Sequence, residues 1–183
     1  MSKPRAVSRR KFMASVVSTA AVASIPVRLN ARSQSQTGLE KPKEDDMASL
    51  TPYLLFDGTC AQAMEFYKAV LGGELSIMKV KDSPAKDRFP SFQQDKVINA
   101  HLESGAVALS ASDWLMPEAT PIRGNTVCMF LHGGSLDDLR AMFKKLSDGA
   151  KVTNPLSEQF FGTYGALNDR FGVRWMFQTN SKD

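Results

Sequence analysis

The fold of this chain is decided by a pattern that begins at Thr51-Pro-Tyr-Leu-Leu-Phe56. A turn follows this apolar run, and then a helical stretch that ends at Gly72-Gly73. The pattern returns at Asn125-Thr-Val-Cys-Met-Phe-Leu131, again followed by a turn and by a helical stretch that ends at Gly149. A short apolar run before a turn predicts a strand, and glycine favours the left-handed end of a helix. The same strand–helix unit is therefore predicted twice.

Both helices have start signals and an apolar stripe. Thr59-Cys-Ala-Gln62 has the form of a capping box, with a hydroxyl at the cap and Gln three residues later. Ser135-Leu-Asp-Asp138 is the corresponding start of the second helix. The apolar residues at helical spacing are Met64, Tyr67 and Leu71 in the first helix, and Leu139, Met142, Phe143 and Leu146 in the second. These stripes predict helices that cover a sheet.

Three further strands are predicted after each helix. They span residues 74–80, 97–104 and 106–112 in the first copy, and 150–154, 164–168 and 173–179 in the second. The order is then βαβββ twice, in modules of about 50–113 and 125–179. Such units pack in α+β layers. We expect the two modules to form a curved mixed sheet with the helices on its outer face, and its concave side to hold a ligand pocket.

The basic excess of the chain is concentrated at its N terminus. The 183 residues carry a formal net charge of +4. Residues 1–31 contain six basic and no acidic side chains, which leaves 17 basic and 19 acidic residues in the remainder. A nearly neutral body lacks the basic surface that nucleic-acid binding requires. We therefore expect no nucleic-acid partner.

Residues 1–31 resemble a twin-arginine (Tat) signal peptide. Ser8-Arg9-Arg10-Lys11-Phe12-Met13 has the paired arginines, and the short, mildly apolar stretch 14–27 follows. Spanning a bilayer takes about 20 strongly apolar residues, so we expect membrane contact only transiently, during export, and a periplasmic location. An uncleaved tail that happens to hold two arginines is the alternative. Residues 32–49 are polar and aperiodic, which predicts a disordered leader, and the folded domain is predicted over 50–183.

The chain has two cysteines, Cys60 and Cys128. Proteins exported by the twin-arginine route fold first in the reducing cytoplasm, which disfavours a disulfide. Neither cysteine lies in a recognisable nucleophile setting.

The order and spacing of these segments resemble the vicinal oxygen chelate superfamily, which includes glyoxalases, bleomycin-resistance proteins and extradiol dioxygenases, and in particular its PhnB-like branch. The resemblance runs from Leu50 to Phe177. Its matching stretches are Thr51–Gly58, Ala63–Lys68, Leu71–Gly73, Val97–Leu102 and Tyr164–Trp175. It implies a homodimer, in which paired sheets complete the cavities.

Metal-using members of that superfamily hold a divalent ion with His, Glu or Gln at four inner strand positions, two from each half. The corresponding windows here hold Thr51, Pro52 and Tyr53; Leu109 and Ser110; Thr126, Val127 and Cys128; and Trp175 and Met176. None of these is a His or a carboxylate, whereas a catalytic metal site needs about three such ligands. We therefore predict neither metal ligands nor a cofactor, with a divalent metal held partly by His101 as the alternative.

His101 is the candidate catalytic residue. It alternates with Asn99 on one face of its strand, and the other face is apolar. If the apolar face packs against the helix, both polar side chains point into the pocket. An imidazole there could bind a ligand or transfer a proton. A structural histidine that bridges strands or lines a subunit contact is the alternative.

Aromatic side chains complete the predicted ligand-binding set, because they suit a small planar or amphipathic ligand. The set, with Asn99 and His101, consists of Tyr53, Trp114, Phe130, Phe161, Tyr164 and Trp175. For Phe130 and Trp175, ordinary core packing is the alternative.

Three functions remain open at this point. The leading interpretation is an exported protein that binds a small molecule without a metal. The first alternative is a divalent-metal lyase, isomerase or dioxygenase of the same superfamily, and the second is a resistance protein that sequesters a toxic compound without turnover. The sequence does not decide whether the protein is an enzyme. A methyltransferase is disfavoured, since no glycine-rich cofactor loop follows a first strand.

Overall fold

The computed structural model describes residues 50–105, 107–116, 119 and 121–180. The predicted signal peptide (1–31) and leader (32–49) lie outside these described residues. Among the described helices, none is both long enough and apolar enough to cross a bilayer.

The described elements follow the order βαβββ twice, which confirms the predicted α+β class. Module 1 consists of β1 (Tyr53–Phe56), α1 (Cys60–Leu71), β2 (Glu74–Lys79), β3 (Val97–Ser104) and β4 (Val107–Asp113). Module 2 consists of β5 (Met129–His132), α2 (Leu136–Leu146), β6 (Lys151–Gln159), β7 (Gly162–Asn168) and β8 (Arg174–Thr179). Three short 3₁₀ helices, Val80–Asp82, Lys86–Arg88 and Ser91–Gln93, lie between β2 and β3.

Each module forms its own four-stranded mixed sheet. The strand orders are β1-β4-β3-β2 and β5-β8-β7-β6, with β1 parallel to β4, β5 parallel to β8, and the other pairs antiparallel. Within the described residues, no backbone pairing joins the two sheets. The expected curved sheet is therefore present as two sheets, whose edge strands are β1 and β2 in the first and β5 and β6 in the second.

One apolar core joins the modules. Met64 and Tyr67 of α1, Leu139 of α2, and Trp175 and Phe177 of β8 are buried in the same cluster. Burying each such side chain stabilises the fold by roughly 1.5–3 kcal/mol. The helices thus cover one face of the sheets, as the stripes predicted.

The start of α1 differs from the prediction. The Thr59 side chain makes no capping hydrogen bond. Instead Asp113, at the end of β4, accepts hydrogen bonds from the backbone N–H groups of Cys60 (3.0 Å) and Val97 (2.8 Å). The carboxylate satisfies two buried donors from different elements, which a cap within the helix could not do. The predicted capping box at Thr59 is therefore wrong.

The serine cap of α2 and the need for glycine after α1 are confirmed, whereas α2 ends at Leu146, before Gly149. Ser135 Oγ accepts a hydrogen bond from the N–H of Asp138 at 3.1 Å. Gly72 and Gly73 both have positive φ, 76° and 87°. At Gly73 an added Cβ would lie 2.1 Å from the carbonyl oxygen of Glu103, so the close approach of α1 to β3 also requires glycine.

Strand β6 is longer than the predicted 150–154. It continues through Pro155, which lacks the N–H that strand pairing uses. The pairing of β6 with β7 shifts register at Val152/Asn154 and again at Asn154/Ser157. Since β6 is an edge strand and Pro155 lies within the second of these irregularities, the proline does not end the strand.

Candidate functional site

Two cavities lie beside the edge strands β1 and β5. The first, here called the linker cavity, has a volume of about 530 Å³ and is lined by β1, Trp114, the segment that connects the modules, the start of β5 and residues 172–174. The second, here called the strand cavity, has a volume of about 570 Å³ and is lined by residues 50–52, the start of β4, residues 127–131 and Trp175. Both volumes lie within the range of about 300–1,000 Å³ that is usual for small-molecule sites.

The linker cavity combines an apolar wall with two aromatic and two cationic side chains. Tyr53 and Trp114 supply the aromatic surface, and Arg123 and Arg174 supply the positive charge. The other described lining residues are apolar or glycine. Such a surface suits a ligand that has a hydrophobic body and an anionic or hydrogen-bonding end.

Arg123 is held by contacts on several sides. Its guanidinium donates hydrogen bonds to the carbonyl oxygens of Phe171 and Leu55, the latter at 3.4 Å. It also lies over the ring of Phe56, with 5.0 Å between Cζ and the ring centroid. Arg174 reaches the carbonyl oxygen of Asn125 at 3.5 Å. All of these partners are uncharged, so the charge of both arginines remains available.

The strand cavity has a different character, because none of its described lining residues is charged. Phe130 and Trp175 contribute to its wall, and Cys128 lies beside Met176, with 3.1 Å between Sγ and Sδ. Its surface offers apolar contact but no ionic interaction.

The structure distributes the predicted ligand-binding residues over several places. Tyr53 and Trp114 line the linker cavity, while Phe130 and Trp175 line the strand cavity. Trp175 is only 1% exposed, and its Nε1 donates a hydrogen bond to Asp169, as expected of a core residue. The remaining members of the set, which line neither of these cavities, are Asn99, His101, Phe161 and Tyr164.

His101 lies on the face of its sheet that points away from α1. Its Nδ1 is 3.1 Å from Oγ of Ser110 on β4, and Ser110 is paired in turn with Tyr53 on β1. Directly paired residues share one face of a sheet, so a row of polar side chains crosses this open face. The hydrogen bond gives His101 a cross-strand structural partner, and a catalytic role for it stays a prediction.

Sequence reasoning missed the role of Asp169, which lies between the predicted strands 164–168 and 173–179. Its Oδ1 accepts hydrogen bonds from the N–H groups of Phe171 and Val173, both at 2.9 Å. Its Oδ2 accepts from the hydroxyl of Tyr67 at 2.7 Å and from Nε1 of Trp175 at 2.9 Å. Burial, and then the Asp169 carboxylate, raise the pKa of the Tyr67 phenol, so this group remains a donor at neutral pH. The network ties α1 of module 1 to the β7–β8 turn.

Sequence reasoning also passed over Arg123 and Arg174. Charged residues in a connecting segment and at the start of a strand usually face solvent, so their presence in the sequence does not indicate a binding site. Only the fold brings them to one cavity.

The two cysteines are both unpaired in the structure. Burial, and then the charge of Asp113, raise the pKa of the Cys60 thiol to about 12. Cys60 therefore stays protonated at neutral pH and is a poor nucleophile.

A divalent metal does not fit the donors of the described residues. Within this part of the chain, no three residues of the types His, Cys, Asp and Glu are grouped closely enough to hold an ion. The sequence windows in which the superfamily resemblance implies metal ligands contain no His, Asp or Glu.

Comparisons with known proteins agree with this architecture. The model of the Glyoxalase/Bleomycin resistance protein/Dioxygenase superfamily matches residues 49–177. Protein YjdN of Escherichia coli K12 is 30% identical over 139 residues, which cover 69% of this chain and 92% of YjdN. The crystal structure of protein PA1353 from Pseudomonas aeruginosa is 34% identical with a TM-score of 0.63, and the match covers 73% of this chain and 98% of that one.

A more distant structure shares the fold. It is the PhnB protein of Bacillus cereus, described as a putative 3-demethylubiquinone-9 3-methyltransferase. It is 20% identical with a TM-score of 0.58, and the match covers 72% of this chain and 99% of that one. The resemblance that the sequence motifs carried is thus confirmed, and this chain belongs to the glyoxalase/bleomycin resistance protein/dioxygenase superfamily.

Proposed function

We propose that this chain is a small-molecule-binding protein and that its ligand occupies the linker cavity without a metal. The observation that carries this proposal is the cavity of about 530 Å³, whose described lining is largely apolar and includes Tyr53 and Trp114. Burial of aromatic and apolar surface is the main source of affinity in such sites. The same site would also serve the second alternative, a resistance protein that sequesters a toxic compound without turnover.

The lack of a suitable donor set favours binding over metal-dependent catalysis. A lyase, isomerase or dioxygenase of this superfamily needs ligands that fix a divalent ion, and the described residues do not group three of them. Metal analysis of protein purified without chelators, repeated after incubation with Zn²⁺, Mn²⁺, Fe²⁺ and Ni²⁺, tests this part. Close to one tightly held ion per chain would overturn it.

The location of the site is tested with N-phenylnaphthylamine, a neutral dye whose fluorescence rises in apolar surroundings. Trp114→Ala should weaken dye binding by about tenfold, which corresponds to the loss of most of one aromatic contact. Phe130→Ala removes an aromatic side chain from the strand cavity, and Phe92→Ala removes one that lines neither cavity and is 70% exposed. Both variants should bind like the wild type.

The opposite pattern would place the site elsewhere. If Phe130→Ala loses affinity and Trp114→Ala does not, the ligand occupies the strand cavity. Melting temperatures of the three variants show whether any loss reflects unfolding.

Export and dimerisation complete the proposal, and both rest on the sequence. The twin arginines support export by the Tat route, so replacing Arg9 and Arg10 with Lys should retain the protein in the cytoplasm. Unimpaired export of that variant would contradict the targeting assignment. Sedimentation of the purified protein as a monomer would contradict the homodimer, which is proposed on the resemblance to the superfamily.

A further inference from the structure

We propose that the linker cavity selects a small organic anion, whose oxyanion group is bound by Arg123 and Arg174 while its apolar body lies against Tyr53 and Trp114. This inference rests on the proposed function and adds the chemical class of the ligand. Its starting point is the composition of the cavity wall, in which the charged side chains are both arginines. The described part of that wall has no Asp, Glu, Lys or His.

Among the residues that the structure describes, no ion pair neutralises the charge of these arginines. Neither guanidinium lies within salt-bridge distance of a carboxylate of any described residue. Their hydrogen bonds go to backbone carbonyl oxygens, which are dipoles without net charge. Two cations beside apolar surface, unpaired with any carboxylate of the described residues, produce a positive potential that favours an anionic ligand.

The carboxylate of Asp169 does not take the place of an anionic ligand at Arg123. The carbonyl oxygen of Phe171, which accepts a hydrogen bond from Arg123, belongs to the same turn as Asp169. Both carboxylate oxygens of Asp169 already accept two hydrogen bonds each, and the residue is 5% exposed. Its acceptor capacity is used inside the core, so the guanidinium remains free to bind a ligand.

The position of Arg123 is set before a ligand arrives. The buried Phe56 ring supports one side of its guanidinium, and the Phe171 carbonyl fixes one of its terminal nitrogens. Gly172 packs close to it, since a Cβ there would lie 3.5 Å from Arg123 Cδ. Preorganisation of this kind lowers the conformational entropy lost on binding.

The chemistry of the guanidinium group defines the ligand class. Its planar array of N–H donors matches two oxygens of a carboxylate, sulfonate or phosphate group. The apolar remainder of the wall requires a hydrophobic body, because buried polar groups without partners would weaken binding. The strand cavity, whose described lining carries no charge, provides an internal contrast, since it should not distinguish an anion from a neutral molecule.

A matched pair of dyes tests the inference. Anilinonaphthalene sulfonate and N-phenylnaphthylamine share one aromatic body, and only the first carries an oxyanion. The wild type should bind the sulfonate more tightly, and added salt should reduce this preference. In the double variant Arg123→Gln, Arg174→Gln the sulfonate should bind about 10- to 100-fold more weakly, because hydrogen bonds to charged groups are strong. The affinity for the neutral dye should change by less than about threefold.

Two further variants serve as controls. Arg88→Gln removes the same charge from an exposed residue that does not line the cavity, and it should leave both affinities unchanged. Arg174→Gln alone keeps the contacts of Arg123 with Phe56 and Phe171, so it tests the charge without disturbing that turn. It should lower only the affinity for the sulfonate.

The failures of the two proposals are distinguishable. Binding of both dyes with equal affinity, or equal losses for both in the double variant, would overturn the selection of anions and leave the binding site standing. Binding of neither dye to the wild type would overturn the proposed function itself. Displacement of the sulfonate by benzoate, by phenyl phosphate or by both identifies the oxyanion that the site accepts, and displacement by neither would contradict the inference.

Discussion

Replacing Asp169 with Asn is expected to lower the free energy of unfolding by about 3–5 kcal/mol. The charged carboxylate accepts four hydrogen bonds, and the amide that replaces it can accept only two of them. The carboxylate is buried and accepts from the N–H groups of Phe171 and Val173 and from the side chains of Tyr67 and Trp175. An Asn side chain has one oxygen and one NH₂ group. Whichever way the amide is turned, its NH₂ group faces two donors that then have no acceptor.

Equilibrium denaturation by urea measures this effect. Tyr67→Phe is the matched control, since it removes one donor and leaves the carboxylate three partners, and it should cost about 1–2 kcal/mol. Asp148→Asn breaks an exposed ion pair with Arg170 and should cost less than about 1 kcal/mol. If Asp169→Asn behaves like Asp148→Asn, the buried network does not hold the modules together.

Asp169 also connects stability to the proposed site. Its turn carries the Phe171 carbonyl that positions Arg123, and residues 172–174 of the linker cavity follow directly. A loosened turn would therefore weaken ligand binding as well as the fold.

Replacing Asp113 with Ala is the second substitution with a large expected effect, about 2–4 kcal/mol, because two buried donors lose their acceptor. These donors are the backbone N–H groups of Cys60, at the start of α1, and of Val97, at the start of β3. Water cannot easily replace the carboxylate, since Asp113 is only 3% exposed.

Thr59→Ala is the control for this prediction. The Thr59 side chain makes no capping hydrogen bond, so its replacement should change the free energy of unfolding by less than about 0.5 kcal/mol. Urea denaturation of both variants compares the two candidate caps. An equal loss in both would mean that Thr59 caps α1 in solution, as the sequence pattern predicted.

The contrast between Thr59 and Asp113 shows how far local patterns reach. A capping box is recognised from residues three positions apart, whereas the observed cap comes from a residue 53 positions away in the chain. The length of β6 was underestimated for a related reason. Pro155 ends a strand only where its missing N–H would be needed, and the edge position that removes this need is a property of the sheet.

The candidate site was predictable in part. Aromatic residues beside a cavity were expected from their chemistry, and Tyr53 and Trp114 do line one. The hydrogen bond of His101 with Ser110 depends on the register of β3 against β4, which the geometry of the turn between the two strands helps to set. The convergence of Arg123 and Arg174 depends on the path of the connecting segment.

The sequence by itself determined the two βαβββ modules, since the periodicity of apolar residues, the glycines at the helix ends and the turn residues all act within a few positions of one another. The order and spacing of the same segments also showed the resemblance to the superfamily. Only the tertiary structure decided which buried acceptors form hydrogen bonds with which donors. It also decided where the cavities lie and that two arginines supply the charge in the described lining of one of them. Several of these contacts join residues that are between 49 and 102 positions apart. They arise only when whole elements pack, because burial and hydrogen-bond satisfaction are properties of the assembled core.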